Sequence, residues 1–255
     1  MKKFMPILGI ITVICIVIGT YIHVGGAFKG GFKWSDLPVI HLGASNGKGD
    51  TSFSESYKDV DKLVIDMSVG NVTLKNGDDL KVNFEGNEDL KPEVSYKDNK
   101  LEIKQKKNIN IKGINLGKHK SELTITIPST VELSKVDAEL DMGDLKISGF
   151  SCKELDAELN MGDLEIKEVQ VTKIEADSDM GNIEIQDSAF DKLSADCNMG
   201  NITIGLTEDV NNFGIHANCD MGNVSIAGKD EGRSFSSNGN KTIKLDVDMG
   251  NIEIF

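Results

Sequence analysis

The sequence predicts an all-β solenoid with rungs of about 19 residues. Three observations point to it: a glycine returning at fixed intervals, apolar residues alternating with polar ones around it, and no period of 3.6 beyond the N-terminal apolar stretch. Gly143, Gly162, Gly181 and Gly200 stand 19 residues apart, and the intervals then lengthen to 22 at Gly222 and 28 at Gly250. A second reading is open. Gly followed by Asp or Asn is also a two-residue turn signal, which would make each repeat a hairpin in an antiparallel β-meander or sandwich.

The elements follow in order. Lys2 and Lys3 precede an apolar stretch from Phe4 to Phe28, long enough for a membrane span and longer than the core of a cleaved signal. Residues 1–28 are therefore read as one N-terminal transmembrane helix, an anchor with its start in the cytoplasm and everything after it outside. Residues 29–61, rich in Gly and Ser and without periodicity, read as a stalk. Residues 62–255 read as the β-strand-repeat domain. To about Val131 it alternates in short runs, among them "KLVIDMSVGNVTL" and "SELTITIP", rich in Val, Ile and Thr. Regular rungs fill 136–255, and "GKDEGRSFSSNGN" is an inserted loop.

Aligned on glycine, each rung carries six apolar columns. The first is Val136, Leu155, Ile174, Leu193, Ile215 and Ile243; the second is Ala in five rungs and Leu245 in the sixth. The third is Leu140, Leu159, Ser178, Cys197, Cys219 and Val247, and the fourth is Met142, Met161, Met180, Met199, Met221 and Met249. Two more follow the glycine, ending in an Ile in every rung. All six are expected to face one interior, with the larger Leu245 tolerated because its rung is the last. The chain then stops in "NIEIF" with no obvious cap, so an open C-terminal edge is expected, available to the inserted loop or to self-association with another copy.

The run "LTITIPSTVELSKVDAELDMGDLKISGF" and the further copies of Met-Gly-Asp/Asn-apolar resemble the bacterial adhesin-like β-strand-repeat family of unknown function, the toast-rack group. The resemblance covers about residues 62–255. It implies a right-handed, single-stranded, parallel β-helix-like domain, often tethered to a membrane and associated with envelope stress systems or adhesion, and it supplies no catalytic residues.

Charge narrows the function classes. The net charge is −13, and residues 136–255 hold 25 acidic against 9 basic side chains. So acidic a half disfavours nucleic acid and anionic lipid and favours cations or basic polymers. The Lys-rich run from 100 to 120 reads as a solvated strand and loop. His23, His41, His119 and His216 are scattered, and no nucleophile motif or nucleotide loop is present; the chain is not read as an enzyme, and no cofactor is expected.

The Met column suggests a soft-metal site, because thioethers suit copper(I), but its alternation with Leu and Ala reads better as core. One outward column mostly alternates Asp with Asn: Asp141, Asn160, Asp179, Asn198, Asp220, Asp248. That spacing separates like charges and allows amide ladders. The other outward column holds Glu139, Glu158, Asp177 and Asp196, a surface on which cations would gather; a flat wall offers no converging oxygen set for a specific metal. Cys197 and Cys219, one rung apart in the same column, read as buried thiols with a disulfide as the alternative, and Cys152 as unpaired. The function expected is a binding or scaffold protein at the envelope, adhesin-like, whose partners are the cell membrane and an envelope polymer or membrane protein. The alternatives are an accessory of an envelope stress response and, further off, a cation-dependent carbohydrate-active β-helix.

Overall fold

The computed structural model describes residues 49–106 and 121–255. The expected anchor at 1–28 and most of the expected stalk lie outside them; among the described residues no helix is long and apolar enough to cross a membrane. The chain forms β1 (Asp50–Ser56), β2 (Lys62–Met67), β3 (Asn71–Gly77), β4 (Lys81–Asn87), β5 (Glu93–Lys97), β6 (Lys100–Lys104), β7 (Ser121–Pro128) and β8 (Glu132–Leu140). There follow β9 (Leu145–Ser148), β10 (Ser151–Met161), β11 (Leu164–Lys167), β12 (Gln170–Met180), β13 (Ile183–Met199), β14 (Ile202–Leu206) and β15 (Phe213–Met221). The last are β16 (Val224–Ile226), β17 (Lys229–Asp230), β18 (Ser234–Ser236), β19 (Lys241–Met249) and β20 (Ile252–Ile254).

The rungs stack in parallel, which rules out the hairpin arrangement. Each rung gives one strand to a first sheet, turns through its glycine, and gives a short strand to a second. In the first sheet Leu155 pairs with Val136 on one side and Ile174 on the other. In the second Leu164 pairs with Leu145 and Ile183. β13 serves both sheets, with Ile183 to Gln186 beside β11 and Ala189 to Met199 beside β12. Inward side chains of both sheets join in a single core.

The turns explain the repeat. At Gly181 φ is +149°, and a Cβ there would run into the carbonyl oxygen of Gly162 on the rung below. Only a residue without a side chain lets successive turns nest this closely. The residue after each glycine then makes a ladder. Asn71 Oδ1 accepts from the Asp144 N–H, Asp144 from Asp163, Asp163 from Asn182, and Asn182 from Asn201. Asn201 accepts from Asn251, and Asn251 from Asn223. A short side chain with an acceptor oxygen at this distance satisfies a turn N–H on the next rung, so Asp and Asn alone fill the column.

Rung order in space departs from chain order at both ends. β19 lies between β13 and β15, and β20 between β14 and β16. The expected open C-terminal edge is therefore corrected: the "NIEIF" strand is paired on both sides, and the fifth rung is outermost. Insertion residues seal that rung, β18 antiparallel to β15 and β17 antiparallel to β16. Both are short, and β17 is charged, as suits an edge that must not recruit strangers. Leu245 fits for a different reason from the one expected. It lies between Ala195 and Ala217, and these small neighbours leave it room. The same order separates Cys197 from Cys219, with Val247 between them; both thiols, and that of Cys152, are free and buried.

The N-terminal end mirrors this. β2 lies between β6 and β8, and β3 between β7 and β9, so "KLVIDMSVGNVTL" is a further full rung set against the rung of Val136. β1, within the segment read as stalk, pairs antiparallel with β4; Phe53 stacks on Phe84 at 5.9 Å, an apolar anchor in an otherwise polar strand.

The Met column is the largest correction to the inward set. The other five columns are at most 5% exposed, whereas Met161, Met249 and Met221 are 42%, 38% and 59% exposed. Period two carries each Met toward the interior, but the strand ends there and the chain swings into the opposite sheet. The side chain is left on the rim of the core.

Candidate functional site

The outer face of the first sheet gathers the acids. Parallel register sets Glu139 beside Glu158, Glu158 beside Asp177, and Asp177 beside Asp196, so the four residues singled out from sequence form one row. The structure extends it at both ends. Asp66 pairs with Glu139, because the N-terminal rung belongs to the stack. Asp246 pairs with Asp196, because the last rung inserts before the fifth. Six carboxylates thus stand in line before Asn218 closes the row. Asp66 was findable: "KLVIDMSVGNVTL" fits the rung template from Leu63 through Gly70 to Leu74. No comparable signal places Asp246 next to Asp196.

Crowding marks the middle of the row. Partial burial, then the charges of Asp196 and Glu158, push the Asp177 carboxyl up to about 6. Glu158 is raised by burial and by Asp156, Asp179, Asp137 and Asp141 around it. Asp196 is raised by burial and then by Asp246. The neighbouring row behaves as its alternation predicts. Asn160 Nδ2 donates to Asp141 Oδ1 at 2.9 Å and Asn198 Nδ2 to Asp179 Oδ1 at 2.7 Å, the expected amide contacts. Towards the other side of the face, Lys135 reaches Asp156 at 3.3 Å and Asp137 at 3.6 Å, and Lys173 reaches Glu175 at 2.6 Å. The central row meets a lysine in register at its N-terminal end, where Asp66 pairs with Lys104 of β6.

A depression of about 80 Å³ lies among Glu158, Asn160, Asp177, Asp179, Asp196 and Asn198. Small-molecule sites begin near roughly 300 Å³, so this one suits water or a small ion. Among the described residues no group of three or more His, Cys, Asp or Glu converges as a metal centre. Evenly spaced carboxylates on a flat sheet attract positive charge over their whole length without enclosing it. His216 sits apart on β15, its Nδ1 3.0 Å from the Ser236 hydroxyl.

Comparison with known proteins agrees with this architecture. The family model described as Toastrack DUF4097 matches residues 60–204 and again 129–255. A crystal structure of a candidate cell adhesion protein from Clostridium sporogenes superposes with a TM-score of 0.54 at 18% identity, covering 81% of this chain and 99% of that one. A candidate adhesin from Bacteroides fragilis gives a TM-score of 0.45 at 20% identity over 82% of this chain and 98% of its own. No functionally curated protein matches the chain.

Proposed function

This chain belongs to the Toastrack DUF4097 family, and from that membership and its acidic face we propose that it is an adhesin-like binding and scaffold protein of the bacterial envelope. The apolar Phe4–Phe28 stretch tethers it to the membrane, and the repeat domain stands outside the cytoplasm. The observation that carries the reading is the continuous row Asp66, Glu139, Glu158, Asp177, Asp196, Asp246 on a rigid parallel sheet. The partner is a basic polymer or the basic face of an envelope protein. The fold likeness to a candidate cell adhesion protein supports a binding role. A solvent-exposed ion pair contributes only about 0.2–1 kcal/mol, so useful affinity requires that several rungs engage together.

Photo-crosslinking in intact cells tests this, with the crosslinker at Glu158 on the acidic face or at Glu184 on the second sheet. The expected result is adducts from position 158 alone, weakened by salt and lost when Glu139, Asp177 and Asp196 are changed to their amides. Equal adducts from both faces, or adducts indifferent to charge removal, would overturn it. The chemical nature of the adduct distinguishes polymer from protein.

A further inference from the structure

The fold leaves one apolar column of the repeat only partly covered, and it is the column with the most unusual composition: Met161, Met249 and Met221 are exposed, Met180 and Met199 are half-buried, and Met142 packs against the core. In space the methionines run Met142, Met161, Met180, Met199, Met249, Met221. Register places Met180 beside Met161 and Met199, and Met249 beside Met199 and Met221. Met142 is aligned with Met161 through the Gly143 N–H bond to the Met161 carbonyl. Neighbouring rungs are about 4.8 Å apart.

Burial does not explain why the residue is Met. In the N-terminal rung the equivalent position is Val69, and there it is buried at 8% exposure. Gln105 covers it, accepting from the Val69 N–H and donating to its carbonyl, each at 2.9 Å, and the Ser121 hydroxyl also donates to that carbonyl. Where the position is roofed, Val stands; in the six rungs where no such glutamine bond to the turn is found among the described residues, Met stands. An exposed apolar row is costly to keep if packing is its sole role.

We propose that this row binds soft monovalent d¹⁰ cations, copper(I) or silver(I), through thioether sulfurs of adjacent rungs. The thioether is neutral and polarizable, a poor hydrogen-bond acceptor but a good ligand for such ions. Flexible side chains on backbones one rung apart let two or three sulfurs converge on one ion. Asp141, Asp179, Asp248 and Asp220, each one residue before a Met, supply negative charge at the rim without competing as soft ligands. Oxygen-seeking divalent cations find no converging oxygen set here.

The test follows the methionine methyl signals of the full chain by ¹H–¹³C NMR as silver(I) nitrate is added. The six rim methyls are expected to shift, while Met67, 1% exposed inside the core, stays in place and serves as the internal reference. A chain carrying Met161→Leu, Met180→Leu and Met199→Leu, with an unchanged far-UV spectrum, is expected to bind silver(I) about tenfold or more weakly. Static rim methyls, or undiminished affinity in the triple variant, would overturn the proposal. So would loss of the methyl shifts on changing Cys197 and Cys219 to alanine, since that would assign the ion to the thiols.

Discussion

Gly181→Ala is the most direct probe of how the rungs nest. At φ +149°, an alanine Cβ would sit well under 3.0 Å from the Gly162 carbonyl oxygen. An L-residue held in such a conformation costs about 1–3 kcal/mol. Relieving the overlap moves the turns apart, which strains two interactions at that level. They are the Gly162 N–H to the Met180 carbonyl at 2.9 Å and the Asn182 N–H to Asp163 Oδ1 at 2.8 Å. At about 1 kcal/mol each, the expected loss totals roughly 3–5 kcal/mol. Gly228→Ala is the matched control. Its φ is +76°, yet nothing lies within 4 Å of its virtual Cβ, so it should lose only about 1–2 kcal/mol. Urea midpoints followed by circular dichroism give both numbers, with equal slopes confirming comparable unfolding. If the two variants lose the same stability, close nesting of the turns is not what fixes glycine in this column.

Three further outcomes are expected. Asp177 has a folded pKa near 6, above its unfolded value, so folding takes up a proton at this group; its own contribution to stability falls as pH rises from about 4 to about 6 and is greatest below that window. Asp177→Asn should therefore stabilise the chain at pH 7, by about 1 kcal/mol or less given solvent screening, with the gain vanishing at pH 4 in thermal melts. Asn182→Ala removes the acceptor of the Asn201 N–H and Nδ2–H and should lower the urea midpoint by the equivalent of about 1 kcal/mol; an unchanged midpoint would strip the ladder of its structural role. Dilute peroxide should convert Met221, 59% exposed, to sulfoxide well before Met67, 1% exposed. Peptide mass spectrometry reads that order, and equal rates would contradict the open rim.

What the sequence makes legible is whatever repeats. The glycine at period 19, the alternating apolar columns and the Asp/Asn column each reflect a demand that every rung makes of its neighbours, so the pattern is written several times. Glu139, Glu158, Asp177 and Asp196 are legible as a row for the same reason: equal spacing in the chain becomes adjacency in the stack. The Met column misled because alternation reports which side of a strand a residue is on, not whether the opposite sheet extends far enough to cover it. Asp66 escaped because its rung is separated from the others by four strands, β4 to β7, and carries Val69 in place of Met.

The placement of the last rung was illegible for a different reason. Every rung presents nearly the same inward set, so β19 could pair with β15 alone or slot between β13 and β15 with little change in apolar matching. The deciding features are local. The fifth rung brings its own edge strands, β17 and β18, which occupy one side of β16 and β15 and leave the other side for β19 and β20. Leu245 then falls between two alanines in place of one, so its extra volume meets small neighbours on both sides. The insertion also moves Asp246 next to Asp196 and leaves Asn218 outermost. The chain end thus completes the charged surface as well as the stack, and a variant that displaced β19 should lose both together.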